Sequence, residues 1–418
     1  MAKRILAILI IVLNIFSIIS FADEEELEDF PFEEVWEEVK AANTKENINL
    51  PKLNSKAAII FDRDSKTVIY GKNINEKRPM ASTTKIMTAI VTLENGNLDE
   101  VVEVDSKAAA IHGSRLGLKK GDKIKIKDLL YGLLLRSGND AATQIAISIG
   151  GSIEEFANMM NKKAKELGLV STNFVTPHGL DNTNHYTTAY ELALITDYAL
   201  NIEEFANIVN TKSSTVYINS KPILINNTNE LLGNLNGVNG VKTGFTNMAG
   251  RCLVTSCTRN NWPIITVVLG ADTKKFRTKD SINLIEYNYK NFVRINIKEK
   301  VEEAFKNWKE DNKVNIEVIK GKKDKSDIDL EYVSDFKLYP INKEKIDDII
   351  IQIECKEKID APVQEKNEIG KIHVIYENKE IIQIPIITKE GIERKNIWDY
   401  FKYLIQNQGR IIVANMHF

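Results

Sequence analysis

The sequence predicts an α+β fold, with strand-like segments at both ends of its longer region and helices gathered between them. Three observations carry this. A hairpin pattern stands at Lys56 to Asn73, helical periodicity runs from Ile86 to Asn201, and apolar strand-like runs return at Gly250 to Thr258 and Pro263 to Leu269. A chain of 418 residues, 43% hydrophobic and 27% charged, has room for two or three domains and a substantial core.

The elements follow in order. Met1 to Ala22 has the parts of a secretory signal: Lys3 and Arg4, then a 15-residue apolar run from Ile5 to Ile19, then Ser20-Phe21-Ala22. The apolar run is shorter than the roughly 20 residues of a spanning helix, so cleavage after Ala22 and export are expected, with an uncleaved N-terminal anchor as the alternative. Asp23 to Glu38 holds ten acidic residues and no basic one. Such a block repels itself and predicts a solvated leader or frayed helix reaching to about residue 50.

In the region 51–293, Ala58 to Phe61 and Val68 to Tyr70 read as paired strands, with their turn at Asp62 to Lys66. Helices are expected at Ile86 to Leu93, Leu129 to Ile149, Ile153 to Leu167 and Thr188 to Asn201, a strand at Thr215 to Ile218, and a closing helix at Lys279 to Phe292. Beyond Arg294 the texture changes. Short alternating segments at Val314 to Ile319, Asp327 to Val333, Asp348 to Glu354, Lys371 to Tyr376 and Ile381 to Ile387 predict a small β domain over 294–391. In the last stretch, 392–418, the residues Ile397, Phe401, Leu404 and Ile405 form an amphipathic helical stripe from Ile392 to Asn407.

Charge and cysteine content narrow the function. The formal net charge is −2, and −4 without Lys3 and Arg4, so no basic surplus exists to neutralise nucleic-acid phosphates. Cys252, Cys257 and Cys355 cannot make a disulfide framework; the first two, five apart on one strand, point to opposite faces as small hydrophobes. No cysteine cluster or His-Glu-x-x-His suggests a metal.

Three short motifs hold side chains suited to nucleophilic chemistry. In Ser82-Thr83-Thr84-Lys85, positions i and i+3 share a helix face, so Lys85 can reach and activate the Ser82 hydroxyl. At a helix start, unpaired N–H groups favour developing negative charge, although Ser82 could equally be a plain N-cap. Ser137-Gly138-Asn139 breaks a leucine-rich helical stretch and turns two polar side chains toward a cleft, or else is a capping turn. Lys242-Thr243-Gly244 lacks phosphate-loop spacing. It suggests a turn into an edge strand, where Lys242 and Thr243 offer charge and a hydroxyl to a carboxylate and Gly244 admits a substrate backbone.

Together, in this order and 55 and 105 residues apart, the motifs resemble those of penicillin-interacting serine enzymes. Specifically, the chain resembles the D-alanyl-D-alanine carboxypeptidases among the low-molecular-mass penicillin-binding proteins. Pro79 to Thr88, Thr176 to Asp181, His185 to Ala189, Asn227-Thr228-Asn229 and Val267 to Gly270 extend the resemblance over nearly the whole mature chain.

The resemblance implies a β-lactamase/transpeptidase-like domain, an antiparallel sheet flanked by helices with a helical subdomain, followed by a small β-sandwich-like domain. It implies that Ser82 attacks the carbonyl between the last two D-alanines of a peptidoglycan stem peptide, forming an acyl-enzyme that water hydrolyses, and that β-lactams acylate the same serine. Lys85 would be the base, kept neutral part of the time by burial and by Lys242. The N–H groups of Ser82 and Phe245 would stabilise the oxyanion. Ser137 would pass a proton to the departing amine, Asn139 would bind the peptide amide, and Lys242 and Thr243 the terminal carboxylate. No metal or cofactor is required. His178 and His185 become structural loop residues, and Arg115 and Arg277 are possible sources of positive field. The terminal helix becomes an anchor on the outer face of the membrane, with packing against the β domain as the alternative.

Other activities share the fold. A β-lactamase carries the same motifs but needs a glutamate to activate water; Glu191-Leu192-Ala193 does not fit that pattern, and lactamases lack a trailing β domain. A transpeptidase or endopeptidase differs only in what attacks the ester.

Overall fold

The computed structural model describes residues 31–43, 50–312, 316–322, 328–402 and 405. The expected signal at 1–22 and most of the acidic leader lie outside them. The chain divides into two units, Met1–Phe292 and Val293–Phe418.

The first unit is built on strands β1 (Ala57–Asp62), β2 (Val68–Lys72), β7 (Val238–Thr246), β8 (Gly250–Arg259) and β9 (Trp262–Ala271). They form one antiparallel sheet in the order β2-β1-β9-β8-β7. Side chains alternate across a strand, and β1 uses both faces. Ala57, Ile59 and Phe61 enter one core while Ala58 and Ile60 enter the other. That explains why all six β1 residues are buried. Cys252 and Cys257 divide between the same two cores, on opposite faces as expected.

One face is covered by helices α2 (Lys85–Asn95), α4 (Ile126–Leu134), α5 (Asn139–Gly150), α6 (Ile153–Glu166), α7 (Ala189–Leu200) and α8 (Glu203–Val209), with a five-residue helix α3 (Ser106–Ala110). A second antiparallel sheet, β3 (Val101–Glu103), β4 (Lys123–Lys125), β5 (Ser213–Ile218) and β6 (Lys221–Asn226), belongs to this helical side. Of its strands only β5 is anticipated by the sequence pattern. The three-residue β3 and β4 carry too little alternation to register, and β6, with Pro222 second and consecutive Ile223, Leu224 and Ile225, does not alternate.

The other face is covered by α9 (Lys274–Asn291), which begins five residues before its predicted start, and by α1 (Phe32–Asn43). Helix α1 corrects the solvated-leader expectation over 32–43. Val35 and Val39, one turn apart, are fully buried, and burying such side chains is worth about 1.5–3 kcal/mol each. Glu34 and Glu38 reach Lys275 at 2.8 and 2.9 Å, and Glu38 reaches Lys279 at 2.7 Å. Glu34 and Glu38 thus set their charge against the basic first turn and a half of α9.

In the second unit, β12 (Leu330–Tyr332), β17 (Lys379–Thr388), β16 (Glu368–Tyr376) and β14 (Ile350–Cys355) form an antiparallel sheet in that order. Two small pairs accompany it, β10 (Phe292–Asn296) with β13 (Leu338–Asn342) and β11 (Glu317–Ile319) with β15 (Lys358–Asp360). The helix α10 (Lys298–Asn312) was absent from the sequence expectation. Its stripe is only Val301, Phe305 and Trp308 among charged residues, yet it closes the core with Ile372, Val374, Ile384 and Ile386. The terminal helix starts later than expected, at 397. Ile392 is instead buried and bridges to Val363.

Candidate active site

The Ser82 hydroxyl is carried by a 3-10 turn, Ala81–Thr84, that runs directly into α2. Ala81 takes the left-handed region with φ 48°, a strained choice for a residue with a Cβ. Two threonines brace the turn: Thr83 Oγ1 donates to Met80 O at 2.6 Å and Thr84 Oγ1 to Ala81 O at 2.7 Å. Gly179 packs so tightly beneath it that an added Cβ would lie 1.9 Å from Ala81 O.

One helical turn on, Lys85 is fully buried. Its Nζ lies 2.7 Å from Ser82 Oγ, 2.8 Å from Asn139 Oδ1 and 3.0 Å from the His178 carbonyl. Three acceptors match the three N–H bonds of an ammonium. The neutral amine has two N–H bonds and a lone pair. Asn139 and His178 can take the two hydrogens and leave the lone pair facing the Ser82 O–H, which is the arrangement a general base needs.

Asn139 begins α5 and is oriented by demand at both ends. Its Oδ1 accepts from Lys85, and its Nδ2 donates to His112 O at 2.8 Å. Ser137, two residues earlier, is left-handed with φ 60° and buried. Its Oγ has no hydrogen-bond partner among the described residues. The strand β7 completes the cluster. Gly244 lies against the Ser82 turn, so that an added Cβ would sit 3.0 Å from Ser82 N and 3.2 Å from Thr83 N. Lys242 and Thr243 are buried beside it. Lys242 Nζ donates to Thr243 O at 3.0 Å, and the Thr243 hydroxyl lies 2.7 Å from that of Thr228. Phe245 follows, with the buried Arg251 guanidinium stacked 3.8 Å over its ring.

The structure thus draws Ser82, Lys85 and Asn139 into direct contact, sets Gly244 against the same turn, and brings Lys242, Thr243 and Phe245 along on β7. Several organising groups escaped the sequence reading. Asp140, fully buried, accepts from the N–H groups of Leu116, Gly117 and Leu118 at 2.8 to 3.0 Å, tying that loop to α5. An acid in the apolar segment just after Ser137-Gly138-Asn139 is the signal that could have revealed it. The carbonyls of His112 and His178 have no side-chain signature at all.

Other candidates fall into structural places. His185 Nδ1 accepts from Val175 N at 3.0 Å, so its Nε2–H donates to Thr84 Oγ1 at 2.7 Å. Burial lowers its pKa to about 4. His178 Nδ1 accepts from Leu180 N at 3.2 Å, and burial, with the Lys85 charge, lowers its pKa to about 3. Among the described residues no group of three His, Cys, Asp or Glu could hold a metal. Arg115 sits 3.9 Å from Asp140 on the loop that Asp140 anchors. Arg277 is buried in α9 and donates to Glu230 Oε1 at 2.6 Å. Glu191 accepts from Val170 N and Ser171 N at 2.9 and 2.8 Å, holding that loop to α7.

A sheet with helices on both faces and a serine served by a buried lysine define a serine hydrolase of the transpeptidase-like class. Comparison with known proteins narrows this. The profile of the D-alanyl-D-alanine carboxypeptidase family matches residues 42–273, and that of the penicillin-binding protein 5 C-terminal domain matches 303–394. The chain is 32% identical over 355 residues to the D-alanyl-D-alanine carboxypeptidase DacF of Bacillus subtilis, covering 83% of this chain and 88% of that one. It is 32% identical to DacC of Escherichia coli, over 85% and 90% of the two chains. The crystal structure of penicillin-binding protein 5 from Haemophilus influenzae superposes with a TM-score of 0.67 at 26% identity, over 83% of this chain and all of that one. The Streptomyces K15 DD-transpeptidase superposes at 0.56 with 32% identity, over 58% and 99%. The chain belongs to the D-alanyl-D-alanine carboxypeptidase family and is a serine-type hydrolase.

Proposed function

We propose that the chain removes the terminal D-alanine of peptidoglycan stem peptides through an ester on Ser82. Ser82 Oγ attacks the penultimate carbonyl while Lys85 Nζ takes its proton. The C–N bond then breaks, the leaving amine gains a proton passed through Ser137, and water hydrolyses the ester. Asn139 binds the peptide amide, Lys242 and Thr243 the carboxylate, and Gly244 leaves room for the peptide backbone. The N–H groups of Ser82 and Phe245 face the developing oxyanion, where such donors are worth roughly 10²–10³ in rate. The observation that carries this reading is the buried Lys85 Nζ, 2.7 Å from Ser82 Oγ and supported by Asn139 at 2.8 Å.

The same ester chemistry makes Ser82 the site of covalent penicillin binding. The assay pairs D-alanine release from a diacyl-Lys-D-Ala-D-Ala peptide with labelling by a fluorescent penicillin. Both activities are expected, and Ser82→Ala loses both. Rapid destruction of penicillin would instead indicate a β-lactamase. A transpeptidase is the second reading, favoured by the 32% identity to the Streptomyces K15 DD-transpeptidase; it predicts transfer to an added amine in preference to water.

The proposed organisation is a signal at 1–22, an acidic leader to 50, the carboxypeptidase domain at 51–293, a β domain at 294–391 and a terminal amphipathic helix in 392–418, with the mature protein on the outer face of the membrane. Among the described residues no helix is long and apolar enough to cross a membrane. Ile397, Trp398 and Phe401 are 77%, 71% and 58% exposed, which supports a helix lying in the membrane surface over one packed in a core. Deleting 397–418 should release the protein from sedimented membranes; retention would defeat the anchor.

A further inference from the structure

Thr228 lies outside the three motifs yet touches the surroundings of two. Its Oγ1 stands 2.7 Å from Thr243 Oγ1. Its N–H donates to Leu135 O at 3.1 Å, two residues before Ser137. The residue is half-buried, so a ligand can still reach it. Its segment is fastened on both sides. Asn227 Nδ2 donates to the carbonyls of Val209 and Thr211 at 3.2 and 3.1 Å, and Glu230 holds Arg277 at 2.6 Å. The Thr228 hydroxyl is therefore placed by its backbone rather than by chance.

Two hydroxyls 2.7 Å apart share one hydrogen between them. A carboxylate brings two acceptor oxygens and no donor. On its arrival both hydroxyls can turn their hydrogens outward, exchanging one neutral bond for two charge-assisted ones. We propose that Thr228 is the second hydroxyl of the carboxylate subsite, donating beside Thr243 and setting the preference for a free C-terminal carboxylate over a neutral end. This rests on the reading of Lys242 and Thr243 as the carboxylate holders.

The test uses the full chain and two substrates, an acyl-D-Ala-D-Ala peptide and its C-terminal carboxamide, with release of the last residue as the readout. Thr228→Val keeps the shape and removes the hydroxyl. It should raise KM for the carboxylate peptide about tenfold, the loss of one hydrogen bond to a charged group, with kcat nearly kept and the carboxamide unaffected. Thr228→Ser should restore the preference, which separates lost chemistry from lost folding. An equal loss on both substrates, or an unchanged preference in Thr228→Val, overturns the proposal. Thr243→Val is the control for what lies beneath it. If that variant keeps the preference, the Lys242 and Thr243 assignment fails and Thr228 falls with it; if it loses the preference while Thr228→Val does not, only Thr228 is wrong.

Discussion

Asn139 Oδ1 accepts a 2.8 Å hydrogen bond from Lys85 Nζ, so the second motif directly fixes the ammonium of the first. The contact is neutral, and neutrality is its point. A carboxamide orients the lysine without adding a charge that would hold its proton. Asn139→Asp keeps the shape and adds that charge. An opposite charge at such a distance raises a lysine pKa by about 1–3 units, so less free amine exists at any given pH. The rising limb of kcat/KM against pH should move at least one unit higher, with activity at neutral pH down tenfold or more and partly recovered in alkali. An unmoved limb would show that Lys85 is not the base.

Gly244 tests the closeness of β7 to the nucleophile. A methyl there meets Ser82 N at 3.0 Å, Ala81 Cβ at 3.2 Å and Thr83 N at 3.2 Å. Most of these are backbone or fixed atoms that cannot swing aside, so the strand or the turn must shift. Gly244→Ala should cost about 1–3 kcal/mol in stability, as overpacking does. It should slow penicillin acylation of Ser82 by roughly 10²-fold, as small misplacement of reacting groups does. Unchanged acylation in a folded variant would mean that β7 does not line the reacting position.

Much of this was legible in the sequence because local spacing survives folding. Ser82 and Lys85 meet through an i, i+3 relation that needs no tertiary information. The apolar runs of β8 and β9 announce a buried sheet because both of their faces are covered. What stayed hidden was long-range or backbone-borne. The left-handed Ala81 and Ser137 carry no glycine to mark them, and the His178 carbonyl that holds Lys85 has no side-chain identity. The docking of helix α1 stayed hidden because ten acids masked Val35 and Val39; a frayed helix is expected there, and neither the valines' core nor the lysines at 275 and 279 is local to it.

His178 and His185 should give the enzyme a soft flank in acid. Burial lowers their pKa values to about 3 and about 4 from 6.5, so both are neutral in the folded state. The unfolded chain takes up those protons below about 6.5. The stabilisation is therefore complete above that pH and is lost as pH falls, by about 1.4 kcal/mol per unit for each imidazole until its folded pKa is reached. Urea unfolding between pH 6.5 and 5 should show a loss of about 3 kcal/mol from the pair, the slope steepening to its full value only below about pH 6. His185→Asn should lower stability at neutral pH, through the lost Thr84 contact, and roughly halve the slope. A slope that the substitution leaves intact would assign the acid sensitivity to other groups.

The Arg277–Glu230 pair carries a different kind of stability. Arg277 is wholly buried, and its Nη2 lies 2.6 Å from Glu230 Oε1, which also accepts from the Thr278 hydroxyl. Burial alone would push the Glu230 carboxyl upward, but Arg277 and Thr278 more than offset this and hold it below its ordinary value. The stabilisation is present above the unfolded carboxyl pKa and lost as pH falls through the folded one. Removing one partner strands the other in low dielectric, so Glu230→Gln and Arg277→Met should each cost about 2–4 kcal/mol. The double variant should cost clearly less than the sum, because no buried charge is left behind. Additive losses in that cycle would show that the two charges act independently and that the segment carrying Thr228 is held by something else.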